Sequence, residues 1–341
     1  MNQIVVVGVA LWACFSSVTW ARESVGEFTL SELHVRATLQ GKEGRQAEFG
    51  VGDSSLGVSY NWDDQILAKV VLGELELRSR PGFYTQNGLD EALGFVEGYA
   101  EYVGLYGKVR MGLLPLGFGY EGKQKESEIL RPRTLLYEKG LMGLRDMGLS
   151  LEFSHQGYYT ELIVHNGEGF TNADQLLWFT AHWGRRNNFD FEWGVSAQTG
   201  QTNPLSTSGS SWSGVGFNPN AESKWRMGQA YARWYSKSWD IVMAGTMGAV
   251  IQSPDPVEGF WLAHVDIDYK AQESWTGLFR YQAFDASDLV TDDLAQVFSL
   301  GLARHSSYGL SSVYIVGSKY VDEQNDLFDD RLEAGWRLRY P

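Results

Sequence analysis

The sequence has one cysteine in 341 residues, Cys14, and it lies inside the first apolar run. Once that run is trimmed, no disulfide and no thiolate chemistry is left. Beyond residue 21 no stretch of about 18 apolar residues occurs, which excludes a transmembrane helix. Positive charge is also scarce, with 28 Lys and Arg against 42 Asp and Glu and a formal net charge of -14. That balance argues against a nucleic-acid partner.

Catalytic signatures are missing as well. The histidines His34, His155, His165, His182, His264 and His305 show no metal-ligand spacing. No Gly-x-Ser-x-Gly elbow occurs, and Gly-rich stretches such as Gly41–Gly44 precede no helix that could cradle a phosphate. The expectation is a chain with no metal, no cofactor and no enzymatic activity. Two acidic clusters, Asp285, Asp288, Asp292 and Asp293, then Asp322, Asp326, Asp329 and Asp330, read as solvated loops. Divalent cations bridging such carboxylates are the rival reading.

What is present begins with a leader. Ile4 to Val18 is apolar, and Thr19-Trp20-Ala21 before Arg22 forms a signal-peptidase site, so residues 1–21 are expected to be removed. The n-region Met1-Asn2-Gln3 lacks Lys and Arg, a departure from the usual pattern. Lipoprotein processing at Cys14 is the rival reading, and the bulky Trp12 disfavours it.

From residue 22 to 341 the sequence alternates. Leu33, Val35, Ala37 and Leu39 enclose His34, Arg36 and Thr38. Met147, Leu149, Leu151 and Phe153 enclose Gly148, Ser150 and Glu152. Trp261, Ala263, Val265, Ile267 and Tyr269 alternate with His264, Asp266 and Asp268. One face is apolar and aromatic, and the other carries charge of both signs.

About sixteen strands can be counted, joined by links that alternate short and long. Short links include 61–64, 104–107, 155–157, 184–188 and 236–238. Long ones cover roughly 78–93, 115–144, 166–174, 199–223, 252–258, 284–293 and 319–328. Seven of the eight prolines fall in the long links and Pro341 ends the chain. A closed barrel has no edge strand to hide a proline. The pattern predicts an all-β fold: a transmembrane antiparallel β-barrel with short periplasmic turns and long external loops, in the outer membrane of a Gram-negative bacterium. Its partners would be outer-membrane lipid and small hydrophilic solutes or ions. The final strand places Trp336, Leu338 and Tyr340 at alternating positions, as barrel-assembly machinery favours, although Pro341 displaces the aromatic from the end.

Residues 109–169 resemble the phosphate-selective porin family, the porins O and P. The likeness rests on Met111-Gly112-Leu113-Leu114-Pro115-Leu116-Gly117-Phe118-Gly119-Tyr120-Glu121, then Arg145-Asp146-Met147-Gly148, then Asn166-Gly167-Glu168-Gly169. The resemblance implies a sixteen-stranded pore, a homotrimer, and a third external loop, 115–144, folded inward as a constriction.

In that loop Lys123, Lys125, Arg131 and Arg133 are constriction candidates, with Arg131-Pro132-Arg133 suited to an oxyanion. A solvated or salt-bridged external loop is the alternative. Lumen-facing candidates are Arg36, Lys108, Arg110, Arg280, Arg337 and Arg339, with Glu97, Glu101, Asp266 and Asp268 of opposite sign. Glu152, Glu192 and Glu333 join the acidic set. A lumen of mixed charge does not carry phosphate selectivity over. The expected function is a water-filled pore for passive diffusion. The alternatives are a closed-lumen structural or adhesive barrel and a secreted soluble β-protein.

Overall fold

A strand with one apolar and one polar face must bury one of them, and here the polar face is buried. The structure, a computed structural model, describes residues 26–42, 48–50, 54–62, 65–73, 94–105, 107–125, 128–138, 142–167, 176–186, 190–202, 223–252, 257–272, 274–289, 294–306, 309–322 and 330–340. The expected leader, residues 1–21, and the expected loop 78–93 lie outside these residues.

The strands are β1 (Glu27–Lys42), β2 (Glu48–Gly50), β3 (Ser55–Asn61), β4 (Ile66–Gly73), β5 (Gly94–Gly104), β6 (Gly107–Pro115), β7 (Arg145–His155), β8 (Tyr158–His165) and β9 (Trp178–Arg186). The rest are β10 (Phe191–Thr202), β11 (Ser223–Tyr235), β12 (Trp239–Gln252), β13 (Val257–Gln272), β14 (Trp275–Asp285), β15 (Leu294–His305), β16 (Ser311–Asp322) and β17 (Arg331–Tyr340). Both β2 and β3 pair with β1, as two pieces of one wall segment. Each later strand pairs antiparallel with its sequence neighbour, and β17 returns to β1 through Leu33 opposite Tyr340 to Lys42 opposite Arg331. The result is a closed barrel of 16 strands. Closure gives the long wall strands a partner on each side, so among the described residues the ladder of N–H and C=O groups runs on around the barrel.

The register keeps one face outward all the way round. Leu149 lies opposite both Met111 and Val164, and Val164 lies opposite Phe179. These outward side chains are exposed: Met111 by 69%, Met247 by 74% and Leu300 by 70%. Inward, Arg36, Glu161, Gln229, Asp266, Arg280 and Glu333 are buried. Water would not solvate such a surface, whereas a bilayer does. This inversion excludes a secreted soluble sandwich.

A fully described turn at one end is tight. Between β7 and β8, Gln156 and Gly157 have φ of 50° and 83°, the double left-handed geometry of a two-residue hairpin. Strands reach further into the long links than the sequence suggests, with β10 continuing to Thr202, β12 to Gln252, β14 to Asp285 and β16 to Asp322. Pro115 is a second correction. It is the last residue of β6, opposite Arg145, and not part of the loop. A strand's final position tolerates it, because the ladder passes to the Leu116 amide, which donates to the Leu144 carbonyl at 2.9 Å.

Candidate functional site

The described residues between 116 and 144 do not project from the barrel. They fold into it, and apolar burial seats them. The loop contains one turn of 3-10 helix, Glu121–Lys123, and a short helix α1, Leu135–Glu138. Phe118, Leu135, Leu136 and Tyr137 are at most 1% exposed. They pack with Trp178, Trp225, Phe260, Leu262 and Phe284, inward residues near the long-loop ends of their strands. This second core was not visible in the charge pattern.

Hydrogen bonds fix the loop to two stretches of wall. On β9 to β11, His182 Nδ1 donates to the Gly117 carbonyl at 2.7 Å, the Gly119 amide donates to Ser196 at 2.8 Å, and the Tyr120 amide donates to Gln229 at 2.9 Å. Gly119 has a φ of 65°, and a Cβ there would collide with the Gln229 side chain, so this approach requires glycine. On β14, Gln282 accepts from the Leu135 amide at 2.9 Å.

The electrostatic centre of this seat is Arg280. Its guanidinium donates to Glu121 at 2.6 Å, to Asp266 at 2.6 and 2.7 Å, and to the Pro132 carbonyl at 2.6 Å. The other Glu121 oxygen accepts from the Thr134 hydroxyl at 2.7 Å and amide at 3.0 Å. Burial alone would raise the pKa of Glu121, but Arg280, then His264 and Arg133, outweigh it and hold the carboxyl below its ordinary range. Burial pushes the Tyr120 and Tyr137 phenols upward.

The sequence-based candidates fall into three groups. Arg131 pairs with Asp268 at 2.7 Å, and Arg133 donates to the Glu121 carbonyl at 2.6 Å and stacks over Tyr137, so both guanidinium groups are engaged by the protein. Lys125 is exposed, and Lys123 ends the 3-10 turn. On the wall, Arg110 pairs with Glu101 at 2.6 Å, Glu152 at 3.0 Å and Glu161 at 3.6 Å. Lys108 approaches Glu101 at 4.0 Å. Glu97 joins Lys69 at 2.8 Å and Arg145 at 3.3 Å; of these two cations, Lys69 was not among those the sequence reading singled out. Elsewhere Arg36 pairs with Glu333, Arg233 and Arg186 with Glu192, Arg337 reaches the Ile129 carbonyl, and Arg339 donates to the Gly309 carbonyl.

Between the loop and the β4–β9 wall is a polar cavity of about 440 Å³, lined by Lys69, Glu97, Arg110, Lys125, Arg145 and Glu161. The Arg145-Asp146 motif closes the loop's base. Asp146 is fully buried and accepts from the Gly167 amide at 2.5 Å and from His165 at 2.6 Å. The acidic links are braced in part: Asp288 accepts from the Gly259 amide at 2.7 Å, and Asp330 pairs with Lys319 at 2.5 Å. Asp292, Asp293, Asp326 and Asp329 lie outside the described residues. Among the described residues, no group of three potential metal ligands occurs.

No protein-family model and no curated protein sequence matches the chain. Solved structures do. A loop-deletion mutant of OmpT, an outer membrane protein of Vibrio cholerae, superposes with a TM-score of 0.69 at 12% identity, over 92% of this chain and 99% of that one. The outer membrane channel DcaP of Acinetobacter baumannii gives 0.65 at 9% identity, over 93% and 98%. An anion-selective porin from Comamonas acidovorans gives 0.63 at 12% identity, over 93% and 100%. None of these is described as a phosphate-selective porin, and identities this low speak for architecture alone: the chain has the fold of a sixteen-stranded porin barrel.

Proposed function

We propose that the chain is an outer-membrane porin, a passive channel through which small hydrophilic solutes or ions cross. The observation that carries this reading is the polar cavity between the inward loop and the β4–β9 wall. It is lined by Lys69, Arg110, Arg145 and Lys125 against Glu97 and Glu161. A closed structural barrel has no need of a charged passage beside its plug. The solved structures the chain resembles, an outer membrane channel and an anion-selective porin among them, support the same class.

In this reading residues 116–144 form the constriction. Lys125 faces the passage, while Arg131 and Arg133 brace the loop. The family likeness of residues 109–169 to the phosphate-selective porins is carried as loop architecture and not as selectivity. Cations along the passage are paired with carboxylates, which favours weak ion preference over ranking. Residues 1–21 serve as the export leader. The barrel assembles as a homotrimer, a reading supported by the trimer form of the Vibrio cholerae relative.

The chain is not an enzyme in this account. Thr180, His165 and Asp146 line up at 2.9 and 2.6 Å, an order known from hydrolases. All three are buried, and the Gly167 amide also occupies the Asp146 oxygen that His165 contacts, so the row acts as a brace.

The test is the reversal potential across a salt gradient, with purified protein in a planar bilayer. A porin of this kind gives open-channel current and a small reversal potential. A barrel that inserts without passing current would refute the proposal.

A further inference from the structure

The outward face of the barrel has a cavity of its own. A groove of about 810 Å³ runs across β7 to β12. Its floor is a row of small residues: Ala181 lies opposite Ala197, and Ala197 lies opposite Gly228. Leu162, Phe179 and Met247, exposed by 44, 53 and 74%, form its sides. Arg226 closes the end nearer the long loops, and Lys224 follows on the same outward face.

These two cations are unusual in their setting. The chain has a formal net charge of -14, yet both point away from the lumen. Among the described residues neither has an acidic partner. Their height explains what could meet them. Trp234 stands exposed near the short-turn end of the same strand. From Trp234 to Arg226 the strand climbs roughly 26 Å, or roughly 20 Å along the membrane normal at a barrel strand's usual tilt. The apolar band of such barrels is about 25 Å tall. Lys224, two residues further along, therefore reaches the top of that band on the long-loop side, and Arg226 lies a few Å below it, within reach of the headgroups by extending its side chain, with the groove beneath them in hydrocarbon. An unpaired cation there is stabilised by an anionic headgroup. A floor of methyl-sized side chains lets an acyl chain lie in continuous contact.

We propose that this groove binds one acyl lipid of the outer leaflet whose phosphate headgroup carries a net negative charge. Its chains lie along the Ala181–Ala197–Gly228 row, and its phosphate rests on Arg226 and Lys224. The proposal rests on the barrel spanning a membrane and is independent of whether the lumen conducts.

The experiment is native mass spectrometry of the full chain in detergent. The probes are dimyristoyl phosphatidic acid and dimyristoyl phosphatidylcholine, which share chains and differ in headgroup. The wild-type barrel retains one phosphatidic acid with at least about tenfold preference. The double variant Lys224→Gln, Arg226→Gln changes only exposed side chains and lowers phosphatidic acid to the phosphatidylcholine level. Gly228→Leu fills the floor and lowers retention of both lipids. The site has room for it, since a Cβ at Gly228 meets only the Ser196 carbonyl at 3.5 Å. Heat-dependent gel migration of each variant separates loss of the barrel from loss of the lipid.

Equal retention of both lipids by the wild type would overturn the proposal, as would unchanged phosphatidic acid binding in the double variant. If Gly228→Leu instead alters association between barrels and leaves lipid retention intact, the face belongs to a second copy and the proposal fails.

Discussion

Arg280 on β14 donates from Nη2 to Oε1 of Glu121 in the inward loop at 2.6 Å, with both side chains nearly inaccessible. The same guanidinium holds Asp266. One wall cation thus neutralises a wall carboxylate and a loop carboxylate together, and the loop's position depends on it.

Arg280→Met is therefore expected to cost about 3–5 kcal/mol of barrel stability, since it leaves two buried carboxylates without the cation that hydrogen-bonds both. Denaturant unfolding of the reconstituted protein checks this. Adding Glu121→Gln and Asp266→Asn to the same variant should recover much of the loss. A triple variant as unstable as the single one would show that volume, and not charge, is what Arg280 supplies.

Acid should loosen the loop. The Glu121 carboxyl is held below its ordinary value of 4.5. Its folded pKa is lower than its unfolded one, so the ionised group stabilises the seated loop above about pH 4.5 and loses that contribution as pH falls through the folded value. Current noise in single-channel records should rise as pH drops below 4.5, and stay flat above it. In Glu121→Gln the rise should be absent or much smaller, which separates this group from other carboxylates in the barrel.

Apolar seating makes an independent prediction. Leu135 and Leu136 are 0% exposed. Replacing either with Ala should cost about 2–5 kcal/mol by transfer and cavity terms. The double variant should unseat the loop and raise conductance. Unchanged conductance at reduced stability would mean that the loop does not set the narrowest point.

Ion preference should follow Arg110, which touches Glu101, Glu152 and Glu161. Arg110→Gln leaves three carboxylates facing the passage with less compensation. The reversal potential should move toward cation preference, with the permeability ratio changing severalfold. Movement toward anions would contradict the assigned lining.

Much of this was legible beforehand, because the period of a strand is two and a closed wall makes that period visible. His34, Arg36 and Thr38 stand on the polar parity in the sequence and are buried in the barrel. The loop core was not legible. Phe260 and Leu262 occupy the same parity as His264 and Asp266, so alternation marks them as inward but does not say what covers them. Their partners Phe118 and Leu135 come from a loop whose charges dominate its composition. The roles of Arg131 and Arg133 were hidden for a related reason. Asp268 and the Glu121 carbonyl reach them only after the loop has folded inward.

The central claim is that the lumen beside this loop conducts. The direct measurement is single-channel recording of the refolded, heat-modifiable protein in a planar bilayer. Discrete, reproducible current steps that are close to ohmic are predicted, and they should grow in the Leu135→Ala, Leu136→Ala variant. Insertion of the folded barrel with no steps in either protein would contradict the account.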